Sequence, residues 1–406
     1  MWQSIKNIYH LLQAFLANIY YGWPGKKLKL IGVTGTDGKT TTTHLIYEIL
    51  KTAGKKTAFI SSVYAQIGNN TFDTGFHVTS PDPHLIPKYL KMAKDQAFEY
   101  VILEVTSHGL DQKRFWGQKF AIGVLTNITP EHLDYHRSFK HYLRSKRKLL
   151  LSSDTMVVNE DDASFEKLKL PQNKHLVTYG LTENSQVNPL NFPFTTTLPG
   201  KYNQYNSLAA IAVGKHIGIK SDQIRKDIKN FAGVAGRFEE IKNAKGIRVI
   251  IDFAHTPNAF VQVLSTVKAT TAGRLIHVFG SAGLRDFTKR PLMGEISAKF
   301  AKFIVLTEED YRTESLDKIL NQLAYGCSKA GAVEFSITNY PSAKKAKMPV
   351  FFKIKDRQQA VNFALQKLAR KKDTVLITGK AHEKSLCRGK IEYPWNEFEA
   401  VKEALK

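Results

Sequence analysis

The chain has 406 residues, enough for two or three domains. A hydrophobic share of 43% beside 23% charged residues excludes a disordered chain, and no run of 18 apolar residues offers a membrane-spanning helix. Two cysteines, Cys327 and Cys387, exclude a disulfide framework or a four-cysteine zinc site and suit a reducing, cytoplasmic setting, while a net charge of +23 points to polyanions such as nucleotides, nucleotide-sugars or nucleic acid.

In chain order, residues 1–27 come first. Trp2, Ile5, Ile8, Leu12, Phe15, Leu16 and Ile19 mark one apolar face of a helix, with Lys6, Asn7, Gln13 and Asn18 interspersed. No small-residue cleavage site follows, so a signal peptide is not expected. The expectation is a helix packed on the domain behind it; an interfacial membrane helix is the second reading.

Beyond it, apolar β-branched runs alternate with helix-like stretches, the pattern of an α/β protein with parallel sheets. Strands are predicted at Lys29–Val33, Thr57–Ser61, Tyr100–Val105, Ala121–Asn127 and Thr155–Asn159. A second series is predicted at Ile247–Phe253, Arg274–Gly280, Phe303–Thr307 and Thr374–Gly379. The small-residue stretch Phe231–Gly236 separates the series, giving a central domain at 28–235 and a C-terminal one at 236–406. The expected fold is a phosphate-loop ATPase domain with a parallel sheet plus a Rossmann-like α/β domain. A cleft between two such domains would suit the joining of two substrates.

Gly35-Thr36-Asp37-Gly38-Lys39-Thr40-Thr41 stands between the first strand and a helical pattern. A glycine-rich turn there lets backbone N–H groups close round phosphate at a helix N-terminus. Lys39 would add a point charge, and the Thr40 hydroxyl would reach a magnesium ion. Val33 stands where the general phosphate loop has glycine. Glu104 ends a buried strand and His132 follows the next. A carboxylate and an imidazole so placed would hold a second Mg²⁺, although each residue alone also fits an ordinary buried polar group.

Further stretches follow in order: Glu104-Val-Thr-Ser107-His108-Gly109 through Gln112 to Arg114; Thr126-Asn127; Glu131-His132-Leu-Asp134-Tyr135-His136; Gly200-Lys-Tyr-Asn203-Gln-Tyr-Asn206; Gly236-Arg237; Asp252-Phe-Ala-His255-Thr-Pro257; Arg285-Asp286 with Lys289-Arg290-Pro291; and Gly379-Lys380-Ala-His382-Glu383. With the loop, these resemble the muramyl-tripeptide synthetases of the Mur ligase family from about residue 29 to the end.

The resemblance implies an ADP-forming amide ligase that adds meso-diaminopimelate or lysine to UDP-N-acetylmuramoyl-L-alanyl-D-glutamate through an acyl phosphate. It implies that residues 35–41, Asn127, Asn206, Arg237 and His255 hold ATP, and that Thr40, Glu104 and His132 hold Mg²⁺. Lys146 matches the lysine that the family carbamylates. Thr79, Ser80, Ser107, Gln112 and Arg114 match contacts to the muramyl substrate. Arg285, Arg312, Gly379 and Glu383 match contacts to the amino acid.

Two departures stand beside it. About 28 residues precede the phosphate-loop strand, where the family has a uridine-diphosphate-binding domain. Glu309-Asp310-Tyr311-Arg312 replaces the Asp-Asn-Pro-Arg of diaminopimelate users, keeping only the arginine. A related ligase using a non-UDP acyl acceptor therefore stays open. So does, from the charge alone, a basic phosphate-loop protein that binds nucleic acid, which would leave Glu104, His132 and the C-terminal motifs unexplained. The reading favours a monomer acting on small molecules without nucleic acid.

Overall fold

All nine expected strands form, within a residue or two of the expected ends. The computed structural model describes residues 2–72 and 80–406, in two units, Met1–Ala232 and Gly233–Lys406. The first unit holds an eight-stranded sheet. Its strands are β1 (Lys29–Thr34), β2 (Thr57–Ile60), β3 (Ala65–Ile67), β4 (Asn70–Phe72), β5 (Tyr100–Glu104), β6 (Phe120–Leu125), β7 (Ser153–Asn159) and β8 (His175–Tyr179). They run in the order β4-β3-β2-β5-β1-β6-β7-β8. β2, β5, β1, β6, β7 and β8 pair in parallel, while β3 and β4 extend the edge antiparallel.

The helices are α1 (Trp2–Tyr20), α2 (Lys39–Thr52), α3 (Leu85–Asp95), α4 (Ser107–Asp111), α5 (Leu133–His136), α6 (Phe139–Leu151), α7 (Lys201–Ile217) and α8 (Ser221–Asn230). Leu30 and Ile31 point to opposite faces of β1, yet both are fully buried, so helices cover both faces. That double burial is why the central strands read as continuous apolar runs. β1 lies between β5 and β6, with Val33 opposite Glu104 and Thr34 opposite Leu125. The strand order reverses around β1. Its carboxyl end is therefore where such sheets bind ligands.

α1 corrects one expectation. It docks on the first unit, but through its polar and small side. Gln3 donates to the Tyr135 hydroxyl at 2.8 Å, Asn7 to Asp111 at 3.4 Å and Asn18 to the Trp116 carbonyl at 3.1 Å; Ala14 and Ala17 are buried. Ile5, Ile8, Leu12, Leu16 and Ile19 are exposed. The surface beneath presents acceptors, and buried acceptors need donors. That requirement turned the polar stripe inward.

The second unit has strands β9 (Glu239–Ile241), β10 (Arg248–Asp252), β11 (Leu275–Phe279), β12 (Phe303–Leu306), β13 (Val333–Glu334), β14 (Val350–Lys353) and β15 (Thr374–Thr378). Their order is β13-β14-β12-β11-β15-β10-β9, parallel except for β9. A hairpin of β16 (Ser385–Arg388) and β17 (Ile391–Pro394) follows. The carboxyl ends of β12 and β15 are tied by Arg357, which is fully buried. It donates to both Glu397 oxygens at 2.7–3.2 Å, to the Glu308 carbonyl at 3.1 Å and to the Thr378 carbonyl at 2.8 Å.

Candidate active site

The phosphate loop joins β1 to α2. Gly38 caps α2 with φ 84°, a left-handed conformation that glycine adopts without strain. A Cβ there would also lie 2.2 Å from the Asn206 side-chain oxygen, so α7 crowds the loop. Asn127 clamps the loop from β6: its oxygen accepts from Asp37 N–H at 3.0 Å and its amide donates to the Asp37 carbonyl at 3.1 Å. Thr126 donates to the same carbonyl at 2.6 Å. The Thr36 hydroxyl lies 3.0 Å from the Tyr142 hydroxyl of α6. Lys39 folds back over the loop and donates to the Gly35 and Thr36 carbonyls at 3.1 and 2.9 Å.

Thr40 and Glu104 lie side by side, whereas the pairing expected from the sequence is Glu104 with His132. The Thr40 hydroxyl donates to both carboxylate oxygens at 3.1–3.2 Å, and the Ser62 N–H donates to one of them at 2.9 Å. Thr41 is buried in the first turn of α2. His132 sits at φ 56°, with its ring 4.6 Å from that of His108 and 6.3 Å from Tyr142. Among the described residues no set of three or more His, Cys, Asp or Glu forms a metal cluster.

Lys146 reaches the loop from α6. Its ammonium donates to the Gly35 carbonyl at 2.5 Å and lies 4.6 Å from the Tyr142 ring centre. Burial pushes its pKa well below the usual lysine range, and the charge of Lys39 pushes it further. Tyr142 was not singled out from the sequence. Its spacing of four residues before Lys146 on a helix was the available signal.

The residues expected to meet an acyl substrate surround α4. Thr79 lies outside the described residues. Ser80 is buried, 2.9 Å from the Thr106 hydroxyl. Ser107 lies 3.0 Å from His136, an imidazole that burial and then His141 hold neutral, with a pKa of about 4. Arg114 donates to Gln112 at 2.7 Å and to the Ser80 carbonyl at 3.0 Å, so these three form one unit rather than a loose surface. Asp111, unforeseen, accepts from Lys148 and Tyr135 at 3.1 Å and lies 3.3 Å from His141. Burial pushes its carboxyl up, but the Lys148 and Tyr135 contacts outweigh it and leave the carboxyl below its usual range.

In the second unit Arg237 lies over the Phe253 ring at 4.4 Å, and that ring packs on His255 and His382 at 4.8 and 4.7 Å. Arg285 is followed by Asp286, which accepts from the Thr288 N–H at 3.0 Å. Arg312 donates to the Gly283 carbonyl at 2.8 Å and lies 3.8 Å from Asp310. Lys380 is fully buried between Asp310 at 2.7 Å and Glu383 at 2.6 Å. Gly379, at φ 108°, leaves room for Glu309, whose carboxylate would lie 3.1 Å from a Cβ at that position. Burial, then Asp310, raises the Glu309 pKa. Lys380 and Asp310, which the sequence motifs contain but give no role, join Glu383 and Arg312.

Residues 33–214 match the family described as Mur ligase middle domain, and residues 236–381 the one described as Mur ligase, glutamate ligase domain. The chain belongs to the Mur ligase family. It is 34% identical to a UDP-N-acetylmuramoyl-L-alanyl-D-glutamate–2,6-diaminopimelate ligase of Geobacter metallireducens, over 96% of this chain and 81% of that protein. A ligase of the same name from Aquifex aeolicus is 35% identical over 96% and 80%. Among solved structures, one diaminopimelate ligase shares 27% identity with a TM-score of 0.59, covering 93% of this chain and 78% of that one. A MurF ligase from Thermotoga maritima in complex with ADP has a TM-score of 0.66 at 16% identity, over 96% and 83%, a likeness of fold.

As a Mur ligase the chain is an ATP-dependent enzyme that forms carbon–nitrogen bonds. The geometry of this Mur ligase agrees with an anionic substrate at the first unit. Two lysines converge on one loop carbonyl there, beside an N-terminal helix end and a hydroxyl–carboxylate pair.

Proposed function

We propose that this Mur ligase joins the amine of a diamino acid, meso-diaminopimelate or L-lysine, to the glutamyl carboxylate of UDP-N-acetylmuramoyl-L-alanyl-D-glutamate. The names of its relatives support the substrates, and Arg312 favours diaminopimelate, whose distal carboxylate a guanidinium pairs with through two N–H donors. A carboxylate oxygen attacks the γ-phosphorus and the bond to the β-phosphate oxygen breaks, leaving an acyl phosphate and ADP. The amine then attacks the acyl carbon, phosphate departs, and the amine's proton leaves to solvent.

In this reading Lys39 holds the β- and γ-phosphates, and the loop N–H groups at the start of α2 hold their oxygens. Thr40 would hold one Mg²⁺, and Glu104, whose carboxylate the Thr40 hydroxyl already reaches, would with His132 hold a second. When bound, these cations neutralise charge on the phosphates and the attacking carboxylate. Burial, then the charge of Lys39, shifts Lys146 towards its neutral amine, the form that adds carbon dioxide to give a carbamate and a proton. The resulting anion would face Lys39. Ser80, Ser107, Gln112 and Arg114 orient the acyl group. Gly379, Glu383, Arg285 and Arg312 receive the amino acid.

The observation that carries the reading is the convergence of Lys39 and Lys146 on the Gly35 carbonyl, beside the Thr40–Glu104 pair. Mass spectrometry of a reaction with Mg-ATP, the muramyl dipeptide nucleotide and each amino acid tests it. A product heavier by one diamino acid residue supports it. ATP binding with no such product from any of them overturns the substrate assignment.

A further inference from the structure

The docked helix α1 is amphipathic in the reverse sense for a soluble surface helix. Gln3, Asn7 and Asn18 hold it to the first unit, while Ile5, Ile8, Leu12, Phe15, Leu16 and Ile19 face out. Leu16 is 62% exposed and Tyr20 is 81% exposed. A stripe this long and apolar is uncommon on a surface that nothing covers.

We propose that α1 lies in the interface of an anionic lipid surface, with its apolar stripe below the headgroups. Three observations select that occupant. The stripe runs into an aromatic group: Phe15 packs on Trp116 at 5.5 Å and Trp116 on Trp23 at 5.8 Å. Such rings suit the headgroup boundary. Lys26 lies over the Trp23 ring at 4.9 Å, and Lys27 beside it is exposed, so cations border the stripe where lipid phosphates would sit. Finally, α1 contains no acidic residue and the chain carries +23, a complement to an anionic surface.

A second copy is the rival occupant. Ile5, Leu12 and Ile19 recur every seven residues, as in paired helices. Yet two copies would bring together helices with no acidic residue, and neither would supply the flanking counter-charges that set such pairs. No described helix is long and apolar enough to cross a membrane, which agrees with one lying along the surface. The hydrogen bonds of the polar side anchor the helix to the enzyme while the other side enters lipid. The phosphate loop and its lysines are not part of this contact.

The test is co-sedimentation of the full chain with vesicles of phosphatidylcholine alone or mixed with phosphatidylglycerol. The expected result is binding to the anionic vesicles that weakens with salt. The double variant Leu12→Ser/Leu16→Ser should bind about tenfold more weakly, with ATP affinity unchanged as the control for folding. Lys26→Glu/Lys27→Glu should weaken binding and flatten its salt dependence. Absence of binding to anionic vesicles, or binding indifferent to the leucine variant, overturns the proposal. A concentration-dependent dimer abolished by Leu16→Ser, without vesicle binding, assigns the stripe to a second copy instead.

Discussion

The phosphate loop of the first unit and the strand ends of the second both bury cations, but on different partners. Lys39 and Lys146 donate to backbone carbonyls of the loop, and burial, then the charge of Lys39, lowers the Lys146 pKa. Arg357, Lys380 and Arg290 instead meet carboxylates: Glu397, the Asp310–Glu383 pair and Glu314. An ammonium desolvated at a phosphate loop, as Lys146 is, costs folding free energy that an arriving anion offsets. Charges already matched in the fold are part of its stability. Substitutions should therefore separate activity from stability by region.

Lys39→Ala is expected to lower ATP turnover by about 10⁴-fold, the scale of losing a cation on a transferring phosphoryl group. Its unfolding midpoint should stay within experimental error, which equilibrium denaturation with and without ATP will check. A large stability loss would break the comparison. Arg357→Ala should do the reverse. Leaving Glu397 buried without its partner costs about 3–5 kcal/mol, read from urea unfolding, whereas nucleotide binding by the folded fraction should hold.

Lys146→Met sharpens the contrast within one residue. Turnover should fall by about 10²–10³-fold, yet stability should hold or rise, because a desolvated ammonium has been removed. In the native protein, ¹³C-labelled bicarbonate should give a carbamate carbon signal that this variant lacks. Arg312→Ala, between the regimes, should raise KM for diaminopimelate by about 10–100-fold with little change for lysine, since one charge-assisted contact is lost. An equal rise for both amino acids would remove Arg312 from the distal carboxylate.

The smallest effect is a pH dependence. The Arg290 hydrogen bonds hold the Glu314 carboxyl at a pKa of about 2, below its ordinary 4.5. A depressed acid stabilises the fold above its unfolded pKa and loses that contribution as pH falls through its folded one. Glu314→Gln should therefore cost about 1 kcal/mol near neutral pH, with the cost fading between about 4.5 and 2, because the partly exposed pair is screened.

The sequence made the nine core strands legible because both faces of each sheet are covered, so burial overrides alternation. The phosphate loop was legible because its residues are contiguous. Strands β3, β4, β8, β9, β13 and β14 and the hairpin β16–β17 were not; they have two to five residues each, and those in the two large sheets lie at or next to an edge. Partnerships between distant residues were also hidden. Nothing local to Asp310 announces Lys380, and nothing near Asp111 announces Lys148. α1 shows the other limit: an apolar periodicity located the stripe but not the side on which it would lie, which the acceptors of Asp111, Trp116 and Tyr135 decided.

Phosphate release from Mg-ATP, measured with the muramyl dipeptide nucleotide and with diaminopimelate or lysine added in turn, tests the central claim most directly. The account predicts release that needs both the dipeptide nucleotide and one amino acid, and that vanishes in Lys39→Ala. Release independent of either substrate, or none while ATP still binds, would contradict it.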